Sequence, residues 1–139
     1  MIRPIVVTGL AAAFLIAAHA HAHACAPQSA VELSSNDKAP FKAYADIQLK
    51  ALSKPFNVDL YFCGDENTMV ERIKIDAIMP AHQHGMNYKP QILELGGGKF
   101  QATSMFFHMP GIWQLQVSAY HVSAKNDKPI LFTHDIKAQ

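Results

Sequence analysis

Two short segments hold most of the side chains in this chain that could bind a soft metal. Met79-Pro80-Ala81-His82-Gln83-His84-Gly85-Met86 and Met105-Phe106-Phe107-His108-Met109-Pro110-Gly111 contain three of the eight His and four of the six Met. Imidazole nitrogen suits copper and several other transition metals, and thioether sulfur is soft and favours Cu(I). Zinc sites draw on Cys and carboxylates as well as His, and neither segment contains Cys, Asp or Glu. The chemistry implied is copper binding, Cu(I) ahead of Cu(II), through mixed His and Met ligands.

The spacing fits that chemistry. Pro80 cannot continue a central strand, so His82 and His84 are expected in a loop, where a His-x-His pair can close around one ion. In a flat strand the same two side chains would start about 7 Å apart. Gly85 is expected to turn the chain sharply before Met86. The preferred ligands are His82, His84 and His108, with Met86 or Met109 completing the set. The competing reading is that these are ordinary polar loop residues. Met79 and Met105 follow an inward alternation and are expected in the core. His134 alternates with Phe132 and Ile136 and is expected to be partly buried and satisfied, and His121, near a strand end, solvated.

Strands must position these loops. Phe41 to Ala51, Phe56 to Phe62, Ile73 to Met79, Trp113 to Ala119 and Ile130 to Ile136 all alternate apolar and polar residues with a period of two, the mark of a half-buried strand. Gln91–Leu95 and Phe100–Phe107 flank Gly96-Gly97-Gly98, and Asn126-Asp127 marks another turn. No stretch after residue 27 carries a helical stripe. The expected fold is all-β: an immunoglobulin-like antiparallel sandwich of seven or eight strands, with a small closed barrel as the alternative. Parity then joins the two motifs. The chain leaves the Met79 end along Gln91–Leu95, turns at the glycines and returns along Phe100–Phe107, so His108 should emerge beside the His82 loop.

The remaining composition narrows the function. The chain has 139 residues and half of them are hydrophobic, enough for one packed domain. Arg3 and the uncharged run Ile5–Ala18, followed by overlapping Ala-x-Ala triplets, have the form of a secretory signal peptide. The run is shorter than the roughly 20 residues of a membrane span. We therefore expect residues 1–24 to be a signal peptide, residues 25–139 to be the domain, and the mature chain to lack a membrane span. Removing the first 24 residues leaves 11 basic and 11 acidic residues, a balance unsuited to nucleic acid. Cleavage after Ala18 or Ala20 would expose a His-Ala-His terminus able to chelate Cu(II), and cleavage after Ala24 would discard it.

Export permits disulfides, and the two cysteines, Cys25 and Cys63, have three possible fates. They could form one bridge. Cys25 could carry a lipid, although Ala22 stands where a lipobox normally has Leu. Either could remain a free or metal-binding thiol. A full strand over Gln28–Ser34 would start Cys25 at the His/Met end and leave Cys63 at the other. That separation exceeds the Cα distance of about 7 Å that a bridge allows, unless the first segment crosses the sandwich obliquely.

Met79 to Met86 and Phe107-His108-Met109-Pro110-Gly111-Ile112-Trp113-Gln114-Leu115 resemble the signature of the YtkA-like domain family, which is related to FixH-type accessory proteins of respiratory oxidases. The resemblance spans Phe41 to Ser123. It implies an exported or membrane-attached immunoglobulin-like sandwich associated with copper handling, with the family's His falling on His82, His84 and His108 beside Met86 and Met109. FixH-type proteins carry a permanent membrane helix, whereas the apolar segment here is short.

The expected function is an exported carrier, buffer or metallochaperone for copper, periplasmic or secreted, exchanging the ion with a donor or acceptor protein. The alternative is a metal-free interaction module using the same Met-rich end. No nucleophile–base motif, phosphate loop or paired carboxylate set is present, and Asp65-Glu66 reads as a solvated turn. Enzyme activity is therefore not expected.

Overall fold

The period-two pattern becomes two antiparallel sheets packed face to face. The computed structural model describes residues 25–139. The expected signal peptide and its His19, His21 and His23 lie outside the described residues. Seven strands carry the architecture: β3 (Lys42–Ile47), β4 (Phe56–Cys63), β5 (Val70–Met79), β7 (Gln91–Gly96), β8 (Lys99–Met105), β9 (Gly111–His121) and β10 (Ile130–Ala138). Three two-residue strands complete it: β1 (Val31–Glu32), β2 (Ser34–Ser35) and β6 (His84–Gly85). One sheet has the order β1-β3-β4-β8-β7 and the other β2-β10-β9-β5-β6. The architecture is a β-sandwich of immunoglobulin-like type.

The inner faces come from alternate residues, as the pleat requires. Phe56, Val58, Leu60 and Phe62 on β4 oppose Trp113, Leu115, Val117 and Ala119 on β9, and all are buried. Among the described residues no polar or charged residue is buried in this core. Met79 and Met105 are fully enclosed in it, as their alternation implies.

The first segment departs from the expected full strand. It changes sheets at buried Leu33: β1 pairs with β3, β2 pairs with β10, and the Leu33 amide donates to Ala43 O at 2.8 Å. The chain therefore stays near one end, and Cys25 lies beside Cys63 with their Cα atoms 5.9 Å apart, joined as a disulfide. The parity argument that separated the two cysteines fails because it assumed a complete crossing. The bridge also occupies the sulfur that a lipid anchor on Cys25 would need. Nearby, a hydrogen-bonded pair between Glu32 and Lys42 at 3.2 Å ties β1 to β3 and raises the lysine pKa. An exposed pair of this kind adds little to stability.

One further boundary differs from expectation. β3 stops at Ile47, because residues 48–55 leave the sheet through a loop in which Ser53 has φ 55° and its amide donates to Phe107 O at 2.9 Å. The glycine turn between β7 and β8 does form, with positive φ at Gly96, Gly97 and Gly98. Gly98 is required twice over, since a Cβ there would lie 2.7 Å from Phe62 O.

Candidate metal centre

The strand directions bring the two motifs to one end of the sandwich. β5 ends at Met79, β7 leads away, and β8 returns so that residues 106–110 stand beside the turn that carries His82. The rings of His82 and His84 lie 5.9 Å apart between centroids, and those of His84 and His108 lie 5.5 Å apart, tilted by 27°. All three imidazoles suggested by the sequence are therefore neighbours, with His84 in the middle.

Local backbone chemistry explains the placement. After Pro80 the amides of His82 and Gln83 both donate to Met79 O, at 3.1 and 2.8 Å, closing a tight turn. Gln83 takes the left-handed conformation, φ 54°, that reverses the chain. The sequence assigned this reversal to Gly85, but Gly85 is extended. It sits in β6 opposite Ile78, while His84 pairs with Met79. His84 is thus held in a short strand rather than free in a loop. His82 is exposed on the turn, whereas His84 and His108 are half-buried.

The ring nitrogens have different surroundings. His84 Nδ1 makes a long contact, 3.4 Å, with Gly85 O. A carbonyl can only accept, so as a hydrogen bond this contact uses Nδ1–H, the tautomer that keeps its lone pair on Nε2. His108 Nδ1 is buried without a hydrogen-bond partner. A buried nitrogen with no partner is costly unless something satisfies it, and a bound cation would do so.

The two candidate methionines differ in setting. Both are half-buried and pack against the core. Met86 lines a lateral groove of about 500 Å³ together with Ile75, Tyr88 and Ile92, a groove that none of the three His lines. Met109 follows His108 directly, and its carbonyl accepts a hydrogen bond from Trp113 Nε1 at 3.0 Å. Met79 lies beneath the second motif, where Gly111 (φ 133°) leaves room for its Cε.

The sequence reading missed Trp113. Its indole is fully buried and stacks on Phe107 with centroids 4.5 Å apart and an angle of 5°. It also meets the rings of His108 and His84 nearly at right angles, at 5.4 and 6.2 Å. The available signal was its inward register only four residues after Met109.

Among the described residues no three His, Cys, Asp or Glu side chains form a group that could hold a metal ion. The donors gathered at this end are imidazoles and, on the same segments, thioethers, with the ring nitrogen of His108 left unpartnered. The other two His among the described residues lie elsewhere. His121, at the Cys63 end of the sandwich, packs against Phe41 and contacts Ser123 Oγ at 3.0 Å, so it is half-buried rather than fully solvated. His134 is half-buried on β10 opposite Leu115. No helix in the described residues is long and apolar enough to cross a membrane. In comparison with known proteins, no family model, curated protein or solved structure matches this chain.

Proposed function

We propose that this is an exported copper-binding protein, a carrier, buffer or metallochaperone, that holds Cu(I) at the His/Met end of its sandwich. The observation that carries this reading is the buried, unpartnered Nδ1 of His108 beside the half-buried ring of His84. The ligands are His84, His108 and a thioether, Met109 ahead of Met86 because Met86 lines the separate groove. His82, exposed at the turn, is the outermost candidate. Bound Cu(I) would supply a soft cation for these donors to satisfy. The Cys25–Cys63 bridge supports export, since such bonds persist in oxidising compartments. The resemblance to the YtkA-like family points the same way.

Melting curves under reductant test the reading. A ligand that binds only the folded state stabilises it progressively as its concentration exceeds Kd. Cu(I) should raise the melting temperature of the wild type in a concentration-dependent way and leave His84→Ala/His108→Ala unmoved. Equal responses from both proteins would sink the proposal.

A second reading keeps the same end metal-free. It is favoured by β7, an edge strand on which Ile92, Leu93 and Leu95 are all exposed, with exposed Tyr88 just before it. An unpaired apolar edge can add a partner's strand. On that reading copper does not shift the melting curve, and Leu93→Lys abolishes capture of the partner.

A further inference from the structure

The imidazoles do not rest on the aliphatic core. They rest on one indole. Trp113 has no exposed surface, and Phe107, also fully buried, covers it in a parallel stack. Phe107 is fixed in turn by Phe56, 4.9 Å away in an edge-to-face contact, and by the hydrogen bond its carbonyl accepts from Ser53. The indole Nε1–H binds Met109 O across the Pro110-Gly111 turn, so the same ring also holds the methionine backbone. His84 and His108 come from different sheets, one on β6 and one after β8, and both contact Trp113.

We propose that Trp113 is a positioning and selectivity-determining residue of the His/Met site. This inference rests on the copper reading above. Trp113 sets the relation between the two imidazoles and the Met109 turn, and it forms a dry wall on the core side. A buried aromatic wall leaves no room there for additional ligands. Cu(I) accepts two or three soft donors, whereas Zn(II) in protein sites takes four. The wall therefore favours the low-coordinate monovalent ion. Supporting groups of this kind, locked by packing and hydrogen bonds, decide whether a site keeps its geometry.

The test uses the wild-type domain and Trp113→Phe, each titrated with Cu(I) under reductant and, separately, with Zn(II). The variant keeps an aromatic ring on Phe107 but loses the N–H to Met109 O and part of the wall. Its Cu(I) affinity should fall about tenfold, the worth of one hydrogen bond of this kind, while Zn(II) affinity stays level or rises. The selectivity ratio therefore falls, which general loosening of the fold would not produce. Trp113 is the sole tryptophan of the chain, so wild-type emission reports on this ring alone and should be quenched at one equivalent of Cu(I). An unchanged ratio in Trp113→Phe, or wild-type emission indifferent to bound Cu(I), overturns the proposal. Should the variant not fold, the emission measurement decides alone. Absence of any Cu(I) binding by the wild type is a different outcome: it removes the copper reading itself, and this inference falls with it.

Discussion

The ligand types were legible because their chemistry is written in single letters, but their roles depend on surroundings that a sequence does not display. His82, His84 and His108 are neighbours, yet one is exposed and two are half-buried, and only His108 has a buried ring nitrogen without a partner. The two methionines offered by the sequence separate only in three dimensions. Met109→Leu should weaken Cu(I) binding at least tenfold, and Met86→Leu should change it less than threefold, as one thioether donor is lost and the other was never engaged. A chelator competition assay on the two variants checks this, and the reverse order would transfer the ligand role to Met86. Met79, buried in the core, answers to packing. Met79→Ala should cost about 2–5 kcal/mol in denaturant unfolding, the range for a large-to-small change in a closed core.

At the level of elements, period-two alternation predicted the strands that bury one face only. Phe56 to Phe62 and Trp113 to Ala119 show it without interruption. The two-residue strands were not legible, since two residues carry no period. β1, β2 and β6 exist through pairing with longer neighbours. That is why the switch of sheets at Leu33 and the pairing of His84 were missed, and why the reversal was assigned to Gly85 instead of Gln83. The β7–β8 turn offers a contrast within three glycines. Gly97 has φ 62° and open space around a Cβ, while Gly98 has φ 75° and Phe62 O in the way. Gly97→Ala should cost about 1 kcal/mol from backbone strain alone, and Gly98→Ala should cost clearly more. Equal melting temperatures for the two would contradict the close approach to β4. On the exposed face of β7, Leu93→Lys should leave stability within about 0.5 kcal/mol of the wild type, since Leu93 stands outside the core.

Across the whole molecule the disulfide and the imidazole cluster occupy opposite ends. The disulfide lies at the end where β4 finishes, and the imidazoles lie where β5 and β8 finish. With its cysteines 38 positions apart in sequence, the bridge should contribute about 3–4 kcal/mol by restricting the unfolded chain. A Cys25→Ser/Cys63→Ser variant should lose that stability and keep its full Cu(I) stoichiometry at temperatures where it stays folded. Loss of binding in a folded double variant would tie the thiols to the site. The sandwich followed from the alternating strands and their turns, and the meeting of the two motifs from strand parity, which needs only complete crossings. The cysteine pairing did not, because the first segment does not cross. The central claim is that His84, His108 and a thioether form one tight Cu(I) site. Its most direct test is a Cu(I) titration of the domain against a competing chromophoric chelator, with His84→Ala/His108→Ala alongside. One tight equivalent in the wild type, absent from the double variant, is the result this account predicts. Failure of the wild type to compete, or equal competition by both proteins, would contradict it.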